Sequence, residues 1–342
     1  MRELRRVLIT IIFFGGVSFI FFPCSSCNNN PVSHDSTSEI KTVTPVHVPQ
    51  FNADTAYNIC ASQVRFGPRI PGTKAQQQCA DYLENILRKY CDTVYVQKSS
   101  VKIYDGNSVP MINLIGSFNP KAQKRILLLA HWDTRPWSDR DATNPKKQFD
   151  GADDGASGPA ILLACAEQFQ KQKPGVGVDI FFCDVEDYGP PEFESGKWDE
   201  KDTYALGTQY WAKNPHVKNY RAYYGILLDM TAAVNARFPK EGFSMQYAPS
   251  IVGQVWSNAQ SLGYGNYFVS DLSNPITDDH YYVNSINGTP TIDIINLSAE
   301  TKTGFAPHWH AQTDNMNLID RETMKAVGQT LLQVIYNESA VN

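Results

Sequence analysis

Cysteine is scarce in this 342-residue chain, and its few positions exclude two common architectures. Cys24 and Cys27 sit near the N-terminus, which leaves Cys60, Cys79, Cys91, Cys165 and Cys183 for the body of the protein. An odd set cannot all pair, and none of these five stands at zinc-finger spacing, so neither a disulfide scaffold nor a cysteine zinc site is indicated. A Cys60–Cys79 or Cys79–Cys91 bridge is open to an exported chain but does not follow from spacing, and Cys79, Cys165 and Cys183 lie in apolar periodic segments that read as core. Positive charge is also lacking: the net charge is −5, which gives no footprint for nucleic acid. No internal repeat and no second domain are visible. What remains, 42% hydrophobic and 19% charged residues, is the composition of a globular enzyme.

The only sustained apolar run, Val7 to Phe22, follows Arg2, Arg5 and Arg6 and is short for a membrane span. This is the layout of a secretory signal segment. Small residues before Cys27, followed by Asn28-Asn29-Asn30, resemble a bacterial lipoprotein processing site, with Cys24 the alternative anchor and simple cleavage the plainer outcome. Residues 1–27 are therefore expected to be a signal peptide of lipoprotein type, 28–50 a flexible tether, and 51–342 the catalytic domain. Export to the periplasm or cell surface follows, with membrane contact only through a lipid at Cys27.

Beyond Phe51, helical and strand-like segments alternate. Thr73 opens a helix whose apolar stripe runs Ala75, Cys79, Tyr82, Leu83, Ile86, Leu87 and Tyr90. Thr93–Ile103 and Met111–Ser117 read as strands around a turn at Asp105-Gly106-Asn107. Further strands are expected at 125–130, 178–183, 224–229 and 291–297, with helices at 157–170, 205–213, 251–262 and 319–336. The alternation predicts an α/β domain with a mostly parallel central sheet and helices on both faces.

In such a sheet the C-terminal strand ends share one edge, where chemistry gathers. Here they carry His131 and Asp133, then Glu186 and Asp187, then Asp229, with His308 and His310 beyond the last strand. Alternation along an extended chain would send Glu186 and Asp187 different ways, one to a metal and one to protons. Asp153-Asp154 precedes a helix. Two carboxylates and one histidine, drawn from Asp154, Asp187 and His310, would cancel the charge of a zinc ion and leave one position open. His131 could equally be a buried core histidine, Asp229 and Asp278 caps, and His308 competes with His310 for the metal.

These residues resemble the secreted zinc-dependent glutaminyl cyclases (glutaminyl-peptide cyclotransferases), which share the fold of zinc aminopeptidases. The likeness runs from about Phe66 to Tyr336. It rests on Phe66-Gly67-Pro68-Arg69, His131-Trp132-Asp133-Thr134, Asp153-Asp154-Gly155-Ala156, Asp184-Val185-Glu186-Asp187, Leu227-Leu228-Asp229, Asp278-Asp279-His280 and Trp309-His310. The resemblance implies one Zn²⁺ per chain on Asp154, Asp187 and His310. It makes Glu186 the general base and acid, with Asp229 and Asp278 as its hydrogen-bonded partners. Trp198, Phe305 and Trp309 match the aromatic pocket, with Trp198 placed after a longer insert. His131, His308, Asp279 and His280 are candidates to support these groups from behind. Peptides and proteins with N-terminal glutamine would be the substrates. Asp187 departs from the Glu-Glu pair of the animal enzymes, and Ala130 stands where those carry a cysteine.

Two rivals use the same residues. A two-zinc aminopeptidase would place a second metal on His131 and Asp229 with Asp154 bridging. A silent surface protein would use its acids for calcium, which prefers six to eight oxygens and no imidazole. Trp309 beside the metal histidine favours the cyclase, and His310 disfavours calcium.

Overall fold

The computed structural model describes residues 47–194 and 202–339. The signal segment 1–27, nearly all of the tether and Trp198 lie outside the described residues. The apolar stripe after Thr73 forms helix α2 (Lys74–Tyr90), and the Thr73 hydroxyl accepts the amide of Gln76 at 3.2 Å, satisfying a donor that the helix start leaves free. Strands β1 (Thr93–Lys102) and β2 (Ser108–Phe118) form a hairpin. Its turn is fixed by Gly106 at φ +86° and by the Asp105 carboxylate, which accepts the amide of Asn107 at 2.9 Å.

The remaining strands of the main sheet are β3 (Arg125–His131), β4 (Gly177–Cys183), β5 (Tyr224–Asp229) and β8 (Thr291–Ile295). Their order is β1-β2-β4-β3-β5-β8. Pairings β4–β3, β3–β5 and β5–β8 are parallel, whereas β1–β2 and β2–β4 are antiparallel. The sheet is therefore mixed, which corrects the mostly parallel expectation. The physical reason is the hairpin: a tight turn forces antiparallel pairing, and β2 then meets β4 head to tail.

Side chains alternate along the central strands and feed two cores. Ile126, Leu128, Ile180, Phe182, Ile226 and Leu228 pack with helices α1 (Ala53–Val64), α2, α3 (Ser157–Lys171) and α8 (Arg321–Ser339). Leu127, Leu129, Phe181 and Leu227 pack against Trp211 of α4 (Leu206–Lys213) and against Tyr220 and Val283. Both faces are covered, as the strand pattern predicted. A small parallel pair, β6 (Phe238–Lys240) and β7 (Phe268–Leu272), and helices α5 (Gly242–Tyr247), α6 (Pro249–Ser261) and α7 (Asp279–Tyr282) complete the described chain. All five cysteines in the described residues are unpaired. Among those residues no helix is long and apolar enough to cross a membrane.

Candidate metal centre

The parallel strands end together: His131 pairs in register with Cys183, and Asp229 with Ile295. Beyond Cys183 the chain is no longer extended. Val185, buried and β-branched, sits at φ +54°, a strained conformation for such a residue. The kink is held from two sides. Asp133 accepts the amides of Glu186 at 3.1 Å and Asp187 at 3.3 Å, while Asp184, Val185 and Glu186 offer their carbonyls to the amides of Gly207, Leu206 and Ala205 at the start of α4. The two acids diverge because of this kink, not through strand alternation as the sequence suggested.

Asp154 reaches the same point from the turn before α3. That turn is built on Gly155 at φ +113°, where a Cβ would lie 2.1 Å from the Asp133 carbonyl. Asp314, missed at the sequence level, receives the amides of Asp153 at 2.8 Å and Asp154 at 3.3 Å, and Arg69 donates to the carbonyls of Asp150 and Gly151. His310 arrives at φ +52°. Its Nε2 lies 2.9 Å from Asp187 Oδ2 and 3.6 Å from Asp154 Oδ2, and both of those buried oxygens lack a hydrogen-bond partner among the described residues. Buried carboxylate oxygens left unpaired are costly. Donor atoms of Asp154, Asp187 and His310 converge within 4.8 Å, one nitrogen and two carboxylates, and this set fits a zinc ion.

A second convergence joins His131, Asp154 and Asp229. His131 Nε2 is 3.1 Å from Asp154 Oδ1 and 3.2 Å from Asp229 Oδ1. Here one imidazole nitrogen faces both oxygens and is hydrogen-bonded to Asp229. Burial would raise the Asp154 carboxyl, but the hydrogen bond and charge of His131 and the charge of His310 hold it below its ordinary value.

Glu186 is partly exposed at the mouth, and its Oε2 lies 4.0 Å from His131 Nδ1. Burial and then the charge of Asp187 push its carboxyl well above the ordinary range. No hydrogen bond joins Glu186 to Asp229 or Asp278 in this structure, contrary to the direct pairing expected. Asp229 is instead bonded to His131 and is raised to about 6 by burial against that bond. Asp278 caps α7 by accepting the amide of Asp279, and burial and the charge of Asp229 raise it to about 7. Asp279 is raised to about 7 by burial and by Asp278. His280 lies deeper, with Nε2 3.0 Å from Glu241 Oε2 and Nδ1 3.7 Å from Asp293 Oδ2. Glu241 and Asp293 were not foreseen, since each stands alone in an otherwise ordinary segment.

His308 points elsewhere than His310: its Nε2 meets Asp153 Oδ2 at 2.8 Å, beside the turn that carries Asp154. Phe305 and Trp309 stack at 4.1 Å, and Trp309 stacks on His310 at 3.9 Å, giving the metal cluster an aromatic wall. Arg140 lies over the Trp309 ring at 5.0 Å and pairs with Glu192. Behind the cluster, Arg135 and Asp139 form a fully buried ion pair that sequence reading missed.

The fold that carries this arrangement is shared with known proteins. A zinc-dependent exopeptidase from Parabacteroides distasonis superposes with a TM-score of 0.83 at 53% identity, covering 85% of this chain and all (100%) of that one. The glutaminyl cyclase of Tannerella forsythia gives 0.82 at 51% identity, covering 84% of this chain and 99% of the other. The glutaminyl-peptide cyclotransferase of Drosophila melanogaster is 26% identical over 286 residues, 75% of this chain and 73% of that protein. Residues 113–335, and with them most of the site, match the model of peptidase family M28, and the chain belongs to that family.

Proposed function

We propose that the protein is a glutaminyl-peptide cyclotransferase, converting N-terminal glutamine of peptides and proteins to pyroglutamate with release of ammonia. One observation carries the reading: the three-ligand cluster of Asp154, Asp187 and His310, with unpaired oxygens on both acids, lies against a stacked aromatic wall, with Glu186 beside it. The similarity to the Tannerella forsythia cyclase supports it.

Asp154, Asp187 and His310 would hold one zinc, which when bound polarises the γ-amide oxygen as a Lewis acid. Glu186 takes a proton from the substrate α-amine, whose nitrogen bonds to the carbonyl carbon (Cδ) of the side-chain amide. The same carboxyl then returns the proton as the bond to the amide nitrogen breaks and ammonia leaves. Both jobs suit a carboxyl lifted toward working pH, and burial beside Asp187 lifts this one. Phe305 and Trp309 wall the pocket against water, whose attack would give glutamate instead. Asp278 stands behind and its charge adds to the rise, while Asp229 is bonded to His131, whose charge opposes it. A count of one zinc belongs to the same reading, and the His131–Asp154–Asp229 convergence is where a second ion would sit. Export and anchoring at Cys27, with Cys24 as alternative, complete the proposal and rest on the sequence.

The competing reading is a two-zinc aminopeptidase, favoured by the His131–Asp154–Asp229 convergence and by the similar exopeptidase. Peptides leading with Gln or Leu, combined with metal analysis, separate the two. Ammonia and pyroglutamate with one zinc per chain are expected. Free leucine with two zincs per chain would overturn the cyclase.

A further inference from the structure

The buried pair behind the metal cluster spans two of its ligands. Arg135 is 1% exposed, and its five N–H donors are all engaged. Nε and Nη2 grip Asp139 at 2.9 and 2.6 Å, and Nη2 also donates to the Pro190 carbonyl at 3.1 Å. Nη1 donates to Asp187 Oδ1 at 3.1 Å and to the Gly189 and Asp187 carbonyls at 3.4 Å. Asp139 Oδ1 in turn lies 3.4 Å from His310 Nδ1. One guanidinium thus braces the back of Asp187 directly and the back of His310 through Asp139.

Each contact has a consequence at the front. With Oδ1 occupied by Arg135, only Oδ2 of Asp187 faces the cluster, and that is the oxygen without a partner. With Nδ1 directed at Asp139, the imidazole keeps its proton there and presents Nε2, the nitrogen that faces Asp154 and Asp187. Asp187 is one methylene shorter than Glu, so its carboxylate has little reach to spare and must be held from behind. Charge closes the argument: Arg135 balances Asp139, so bracing His310 adds no net negative charge to a site already rich in carboxylates. A lysine, a point charge with three donors, cannot fill the planar fork.

From this geometry we propose that Arg135 is a positioning residue that makes Asp187 a one-oxygen metal ligand and, through Asp139, fixes His310 as an Nε2 ligand. The inference rests on the metal assignment made for the proposed function. Arg135→Met, Arg135→Lys and Asp139→Asn would be compared with the full chain by zinc competition against a chromophoric chelator and by the visible spectrum of the cobalt-substituted protein. Arg135→Met is expected to lose about 10- to 100-fold in zinc affinity. Its cobalt bands should weaken, as the freed Oδ1 joins the metal and raises the coordination number. Arg135→Lys should recover part of the affinity but not the spectrum. Affinity and spectrum unchanged in Arg135→Met would overturn the proposal. If that variant does not fold, unchanged affinity and spectrum in Asp139→Asn would overturn it. Failure of the metal assignment itself is separate: Asp187→Asn in the otherwise native chain would then keep its zinc.

Discussion

Glu186 and Asp187 are adjacent in sequence and carry the same charge, yet their surroundings assign them different work. Asp187 is buried, braced by Arg135 and aimed at His310, while Glu186 is partly exposed and 4.0 Å from His131. Glu186→Gln is therefore expected to abolish cyclisation, at least 1,000-fold in kcat, while the protein still binds zinc. Asp187→Asn should lose zinc, and activity with it. Metal content of the two purified variants checks this, and loss of metal from Glu186→Gln would mean the roles are reversed. The raised Glu186 carboxyl adds a pH signature. A base must be ionised, so kcat/KM should fall as pH drops through its raised value, on the near-neutral side of the ordinary carboxylate range. At this scale the candidate ligands and base were legible because they cluster in short acid- and histidine-bearing runs. Arg135 and Asp139 were invisible, since an arginine and an aspartate in a polar loop look solvated until the loop is seen folded inward. Asp293 was hidden inside an apolar strand for the converse reason.

Segments, rather than residues, decide whether those groups meet. Strands and helices were legible where periodicity was strong, as in α2, β3 and β4. Helix α1 was missed: its core-facing stripe of Ala53, Ala56, Tyr57, Ile59, Cys60 and Val64 is short, rich in small residues and interrupted by the buried Gln63. Strand direction was also illegible: the hairpin β1–β2 could be read locally, but its antiparallel docking on β4 depends on contacts distant in sequence. The turn that delivers Asp154 offers a test of element-level precision. At Gly155 the backbone is at φ +113° and an added Cβ would strike the Asp133 carbonyl, whose residue also holds the Glu186–Asp187 kink. Gly155→Ala must move one of two backbone segments. A loss of ~2–4 kcal/mol is expected from denaturant unfolding, the range for a strained backbone combined with a buried clash. Zinc affinity should fall in parallel, because the displaced segments carry Asp154 on one side and Asp187 on the other. A variant as stable as the parent with unchanged affinity would show that the turn does not position the ligand.

For the molecule as a whole, stability is expected to be linked to protons on one face of the sheet and to metal at its strand ends. On the α4 side, His216 packs between Tyr95 and Tyr220, each at 4.9 Å, and its Nδ1 accepts the indole N–H of Trp211 at 3.0 Å. Burial, helped by the Arg125 charge, lowers its pKa to about 4. The unfolded chain takes up this proton below about pH 6.5, so the stabilisation is complete above that value and is lost as pH falls toward 4. The slope from one proton is at most about 1.4 kcal/mol per pH unit, and His216→Gln should remove that component of a pH-dependent unfolding series. At the strand ends the linkage is to zinc. Binding only the folded chain, zinc at about 100 times its Kd adds about 2.7 kcal/mol, which for a domain of this size raises Tm by about 5 °C. The rise should be present in Glu186→Gln, absent in Asp187→Asn, and in the native chain grow with the logarithm of free zinc at the slope of one site. Titrating zinc into metal-free protein while following Tm tests all three at once. An equal rise in Asp187→Asn would move the metal to the only other described cluster that shares Asp154, the one built on His131 and Asp229. A slope that doubles at higher zinc in the native chain would place ions at both clusters and return the protein to aminopeptidase chemistry.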